Sequence, residues 1–150
     1  MLRLTKEGEY AFLLLSALLE TPEQAKSATT LSQQTGIALP MTGKVLKRLV
    51  KHQILTSTRG AYGGYQLIQA PETVTALAVV QAMEGVPELV DCLGHSRRCE
   101  LVAHCQISPF WRQLNADIQA ILESRTLADM QYINQRALVR LSINESNENE

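Results

Sequence analysis

The chain has 150 residues and a formal net charge of −1, with three cysteines, 45% hydrophobic, 19% charged and 5% aromatic residues. That length suits one domain, or one domain with an appended helical piece, and the composition excludes a globally disordered chain. Three cysteines are too few and odd in number for a disulfide scaffold, and no apolar run reaches the ~18–20 residues of a membrane span, so a cytoplasmic protein with functional or metal-binding thiols is expected.

The first predicted helix covers residues 6–20, with Ala11, Leu14, Leu15, Leu18 and Leu19 at helical spacing and Thr21-Pro22 ending it. Acidic Glu7 and Glu9 precede its apolar stretch and no small-residue cleavage site follows, so it does not read as a signal peptide. A short helix follows at 29–35, capped by Thr29 or Thr30 and closed by Gly36. A third, at 40–52, opens on Pro40, a residue suited to the first helical turn. Two β-like runs, 54–59 and 65–69, flank Gly60-Ala-Tyr-Gly-Gly64, whose glycines suit a hairpin tip. Residues 75–84 form a further helix, broken by Gly85-Val-Pro87, and the cysteines fall in a loop from Cys92 to Cys105. Pro109 then opens a long helix to 124, with Phe110, Trp111, Leu114, Ile118, Ile121 and Leu122 on one side. A short helix or turn is expected at 126–133, and the polar end from Ser142 is expected to fray.

The charge is unevenly placed. From Gln24 to Pro71 there is no Asp or Glu, while Lys26, Lys44, Lys47, Arg48, Lys51 and Arg59 give that stretch a formal +6 and leave −7 for the remainder. A basic face on an otherwise acidic chain is the footprint of nucleic-acid binding, although a chance cluster on a solvated face looks the same from charge alone. Geometry separates the two. Lys44, Lys47, Arg48 and Lys51 stand at i, i+3, i+4 and i+7, hence on one face of the third helix, opposite Val45, Leu46, Leu49 and Val50. Two short helices joined by a glycine turn, the second cationic and followed by a hairpin, make a winged helix-turn-helix. In that motif the start of the second helix meets base edges and later basic residues meet phosphates. Met41 is then placed to touch a thymine methyl and Thr42 to hydrogen-bond a base. Gly43 has no side chain to read with, so direct readout is expected to be modest. Lys44, Lys47, Arg48 and Lys51 are the phosphate candidates, and Arg59 with Tyr62 in the glycine-rich wing suits a narrow minor groove.

The second signal is Asp91-Cys-Leu-Gly-His-Ser-Arg-Arg-Cys-Glu-Leu-Val-Ala-His-Cys105, with spacing C-x6-C-x5-C. This matches neither a zinc ribbon nor a common ferredoxin. Arg97 and Arg98 favour thiolates, and a segment rich in Gly, His and Arg makes a poor apolar core, so metal binding is preferred over buried thiols or a thiol redox switch. The residues leave the metal open, and Asp91, His95, His104 or a distant acid remain candidates for a fourth donor. No glycine-rich phosphate loop stands between a strand and a helix, and His104 beside Cys105 is a sequence neighbour pair rather than a dyad, so no enzyme is expected.

Taken together, Arg3-Leu-Thr-Lys6 with Tyr10-Ala11, the wing Arg59-Gly60-x-x-Gly63-Gly64-Tyr65-x-Leu67, the three close cysteines and Trp111 resemble the iron–sulfur-cluster-dependent winged-helix repressors of bacteria. That family includes the regulators of the ISC and SUF cluster-assembly operons and the nitrite-sensitive repressors. The resemblance runs from Met1 to about Arg136 and is nearest to the SUF-operon regulators, which implies control of iron–sulfur assembly genes. It implies a mainly α fold, a winged helix-turn-helix with a long C-terminal dimerisation helix, forming a homodimer on palindromic operator DNA. It also implies that Cys92, Cys99 and Cys105 hold an iron–sulfur cluster, expected as 2Fe-2S, with Glu9 of the partner's first helix at the place of the fourth ligand. A family alternative, a histidine three residues past the last cysteine, is replaced here by Ser108. Two departures stand out: a first cysteine gap of six where five is usual, and Gly43 where some members discriminate bases. The expected organisation is a DNA-binding domain over 1–85, a cluster loop over 86–107, a dimerisation helix with a short C-terminal helix over 108–141, and a disordered tail over 142–150. Rival readings are a nitric-oxide, zinc or thiol switch on the same fold, and a metal-binding dimeric adaptor without operator binding.

Overall fold

A computed structural model describes residues 3–90, 93 and 105–147, with side chains as far as 137. Among the described residues, six helices and one hairpin follow in the order α1 (Lys6–Leu19), α2 (Ala28–Thr35), α3 (Leu39–Lys51), β1 (Leu55–Thr58), β2 (Gly64–Leu67), α4 (Ala76–Glu84), α5 (Ser108–Glu123) and α6 (Leu127–Asn147). This is the expected mainly helical winged helix-turn-helix. No helix among the described residues is long and apolar enough to cross a membrane.

Three helices of the N-terminal body, α1, α2 and α4, start on a side-chain cap, whereas α3 starts at Ala38 without one and carries Pro40 in its first turn. Thr5 accepts from Gly8 N in α1, Ser27 from Thr30 N in α2, and Thr75 from Ala78 N in α4. The cap of α2 is therefore Ser27, two or three residues before Thr29 and Thr30, which lie inside the helix. Gly36 closes α2 with φ 73°, the left-handed geometry that glycine adopts without penalty. Past α3, Gln53 takes φ 58° while Ile54 N donates to Leu49 O, turning the chain out of the helix and into the hairpin.

The core joins α1, α2, α3, α4 and β1. Ala11, Leu14, Leu15, Leu18 and Leu19 of α1 meet Leu31, Val45, Leu46, Leu49, Leu55, Val79 and Met83, all buried. Each fully buried leucine stabilises the body by about 2 kcal/mol. Leu127 at the start of α6 enters the same core, and Gln131 Nε2 donates to Leu19 O at 3.0 Å. The starts of α4 and α6 are zipped together, with Ala76 N on Arg125 O at 2.7 Å and Leu127 N on Val74 O at 2.9 Å.

The wing pairs Leu55 with Leu67 through Thr58 with Gly64, antiparallel. A third backbone element completes it: Lys26 N donates to Tyr65 O at 3.0 Å and Tyr65 N to Lys26 O at 2.8 Å. A Cβ on Gly64 would lie 2.6 Å from the carbonyl of Lys26, so only glycine permits this approach. At the tip Gly60 has φ 114° and its carbonyl accepts from Gly63 N.

One expectation for the C-terminal part is corrected. The last helix is not a short one at 126–133 but runs to Asn147, into the stretch from 142 expected to fray. Neither glycine nor proline occurs after Pro109 to stop it. Its start is a reciprocal cap, in which Asp129 N donates to Thr126 Oγ1 at 3.2 Å and Thr126 N to Asp129 Oδ2 at 2.9 Å. The backbone N–H of Thr126 on the carboxylate holds Asp129 below the usual aspartate range. A depressed folded pKa stabilises above the unfolded value and is lost as pH falls through the folded one. Asp129→Asn is thus expected to lower Tm by a few degrees at neutral pH. That difference from the parent should close on acidification below the ordinary aspartate range, as followed by circular dichroism.

Candidate nucleic-acid interface and thiol segment

The six cations of the acid-free stretch divide into two sets. Lys26 is interior: its side chain is 10% exposed, and its ammonium donates to Ala17 O at 2.6 Å and to Gln34 Oε1 at 3.3 Å, with Glu20 Oε2 at 3.5 Å. Lys44 and Arg48 are turned toward α1. Lys44 Nζ lies 2.5 Å from Glu7 Oε1, and Arg48 Nη1 lies 3.4 Å from Glu7 Oε2. Arg48 Nε also donates to Ala82 O on α4 at 3.0 Å. The hydrogen bond from Lys44 and the two positive charges hold the Glu7 carboxyl below the ordinary range.

Lys47, Lys51 and Arg59 remain exposed and have no ion-pair partner among the described residues. The four helical cations expected to share one outward face are therefore split by the tertiary packing. Lys47 and Lys51 point away from the body, whereas Lys44 and Arg48 line the α1–α3 seam. Tyr62 at the wing tip is 98% exposed, and Arg59 is exposed at the end of β1. An unpacked aromatic and an unpaired guanidinium at a glycine tip have the composition of a groove-probing wing.

At the start of α3 one assignment is overturned. Thr42 is fully buried and its Oγ1 donates to Ile37 O at 3.2 Å, so its hydroxyl closes the helix-turn-helix instead of facing outward. Met41 is half-buried against the core rather than fully presented. The exposed residues here are Ala38, Leu39 and Pro40, with open space over Gly43. That surface offers methyl and methylene contact but no side-chain hydrogen bond.

Of the thiol segment, Cys105 is described: it is half-buried, in no disulfide among the described residues, and its carbonyl accepts from Ser108 N at the entry to α5. Cys92, Cys99, Asp91, His95 and His104 lie outside the described residues. Among the described residues no three His, Cys, Asp or Glu side chains converge. Glu9 is partly exposed on α1 and takes a 2.6 Å hydrogen bond from Lys6, which holds its carboxyl below the ordinary range. A deprotonated, surface-facing carboxylate is the form a metal requires.

Glu7 and the inward role of Lys26 are the residues that reading the sequence overlooked. Glu7 entered only as a charge ahead of an apolar stretch, and its partners stand 37 and 41 positions away. For Lys26, the glycine pair at 63–64 was the available signal that another backbone passes close.

A three-helix body, a cationic second helix of the turn motif and a basic wing define a DNA-binding transcription regulator of the winged helix-turn-helix class. Residues 4–132 match the Rrf2 family of iron-dependent transcriptional regulators, and the chain belongs to that family. It is 31% identical over 148 residues to the HTH-type transcriptional regulator IscR of Erwinia tasmaniensis, covering 98% of this chain and 88% of that one. It is also 31% identical over 130 residues to the protein rrf2 of Nitratidesulfovibrio vulgaris, covering 86% and 87%. Among solved structures, T. potens IscR superposes with TM-score 0.70 at 23% identity, over 91% of this chain and 90% of that one. CymR, the global cysteine regulator of B. subtilis, does so with TM-score 0.69 at 23% identity, over 89% and 98%. These two likenesses establish the fold. The relatives are transcriptional regulators, not enzymes.

Proposed function

We propose that this regulator is a homodimeric, iron–sulfur-sensing repressor of iron–sulfur assembly genes. The observation that carries the reading is the half-buried thiol of Cys105 at the entry to α5, a helix with no buried residue. Phe110 and Ile121 on α5 are exposed, and Phe110 packs edge-on against Trp111 at 5.5 Å. An apolar helix left uncovered in a single chain favours a second copy as its cover. Sensing and association are then adjacent in the fold.

The donor set fits the group. Three cysteines within 14 residues supply soft thiolates, the ligands that iron–sulfur centres take, and Cys105 is in no disulfide among the described residues. Cys92, Cys99 and Cys105 would hold a cluster, 2Fe-2S in this reading, with Glu9 of the partner supplying the remaining donor. When bound, such a group adds a redox- and ligand-sensitive centre whose state biases DNA affinity. The chain's own contribution is linkage. Ligation by Cys92, Cys99 and Cys105 together with the partner's first helix would bias how the two recognition helices are spaced, and operator half-sites one helical turn apart reward one spacing.

The test is anaerobic purification followed by a visible spectrum with iron and sulfide assays. A coloured protein with matched iron and sulfide, bleached in Cys92→Ala and Cys105→Ala, is expected. A colourless protein, or one holding zinc, would overturn cluster sensing and leave thiol chemistry on an intact DNA-binding fold.

A further inference from the structure

We infer that Glu7 is a positioning residue of the DNA interface: its carboxylate draws Lys44 onto α1 and withholds that cation from phosphate. The inference rests on the reading of the outer face of α3 as the phosphate-contacting face, and it adds a built-in competitor to that face.

Three observations carry it. First, the two carboxylate oxygens of Glu7 are divided between two cations of the recognition helix, Oε1 taking Lys44 and Oε2 taking Arg48. Second, the carboxylate is held in place. The first turn of α1 is clamped to α4, with Thr5 N and Thr5 Oγ1 donating to Glu84 Oε1 at 3.1 and 2.6 Å. Gly8 lies so close beneath that carboxylate that a Cβ would stand 2.6 Å from the same oxygen. Glu7, one residue before Gly8, therefore sits on a fixed turn and is only 23% exposed. Third, the two cations are not equally committed. Arg48 has a second anchor on Ala82 O, whereas the Lys44 side chain is 61% exposed and rests on Glu7 alone. Removing the Glu7 charge should release Lys44 and leave Arg48 tethered.

An exposed ion pair contributes little to stability. Its effect here is on the ligand, since a phosphate approaching Lys44 must compete with a carboxylate already in place and is repelled by it. The plainer alternative is that Lys44 swings to phosphate on contact and Glu7 is incidental.

Salt dependence of binding to a mixed-sequence DNA duplex separates these, because each phosphate neutralised contributes ~0.9 to the slope of log K against log salt. With the full chain, Lys47→Ala is expected to make the slope shallower by ~0.9 per protomer, and Lys44→Ala by less than half of that. Glu7→Gln should bind more tightly than the parent with a slope steeper by ~0.9 per protomer, and adding Lys44→Ala to it should abolish the gain. A Glu7→Gln slope equal to the parent's, or a Lys44→Ala loss as large as that of Lys47→Ala, would overturn the inference. If Glu7→Gln fails to fold, the comparison of Lys44→Ala with Lys47→Ala decides by itself. Failure of the interface reading looks different, since Lys47→Ala would then leave the slope where it was.

Discussion

Replacing Gly64 by valine is expected to detach the wing from the body of the domain. The site has no room for a side chain, because a Cβ there meets the carbonyl carbon and oxygen of Lys26 at 2.6 Å and its nitrogen at 3.0 Å. These are backbone atoms, held by two hydrogen bonds to Tyr65, and they cannot swing aside as the end of a flexible side chain would. Overpacking costs about 1–3 kcal/mol, and loss of the two backbone bonds adds roughly 1 kcal/mol each, so destabilisation of about 3–5 kcal/mol is expected. The consequence reaches function through Arg59 and Tyr62, which depend on this docking for their position. Thermal unfolding and DNA binding should both suffer in Gly64→Val. An unchanged Tm would mean that the contact between Lys26 and β2 does not form in solution.

The complementary result is expected for Lys47→Ala, Lys51→Ala and Arg59→Ala combined. All three side chains are exposed and carry no packing, so the fold and its Tm should be retained. DNA binding should weaken about tenfold or more at low salt, and the slope of log K against log salt should become shallower by ~3 per protomer. The same removal of charge in the seam, at Arg48, would act on the packing of α3 against α4 because its Nε bond to Ala82 O is lost. A triple variant that bound as tightly as the parent would move the interface elsewhere on the molecule.

Which features could be read from the sequence follows from the range of the interactions that make them. The amphipathic third helix, the left-handed stop at Gly36 and the glycine-tipped hairpin are local properties, and they appear where spacing and turn chemistry place them. Thr42 was also legible: with Val45, Leu46 and Leu49 it falls at i, i+3, i+4 and i+7, the buried stripe of α3. Assigning it to base contact from its place near the helix start set motif geometry above helical phase, and burial went with the phase. The sorting of the cations had no local signature. Whether a lysine faces solvent, a carbonyl or a carboxylate depended on α1 and α4 crossing α3, which brings Glu7 and Ala82 to residues far away in sequence. The length of α6 was obscured differently, since Asn and Ser are weak helix formers but do not block a helix that nothing breaks.

The seat of Leu127 in the core has a consequence for the order in which the chain becomes itself. The apolar side of α1 is completed by α4 and by the start of α6, and Gln131 reaches back to Leu19 across 112 positions. During synthesis α2 and α3 follow α1 closely and can cover part of its leucine face, but the part completed by α4 and Leu127 stays open until nearly the whole chain has emerged. A fold closed by so distant a contact pays its loop-closure entropy late, so the N-terminal body is completed near the end of translation. Truncation before residue 127 should therefore leave exposed apolar surface on α1, far from the cut.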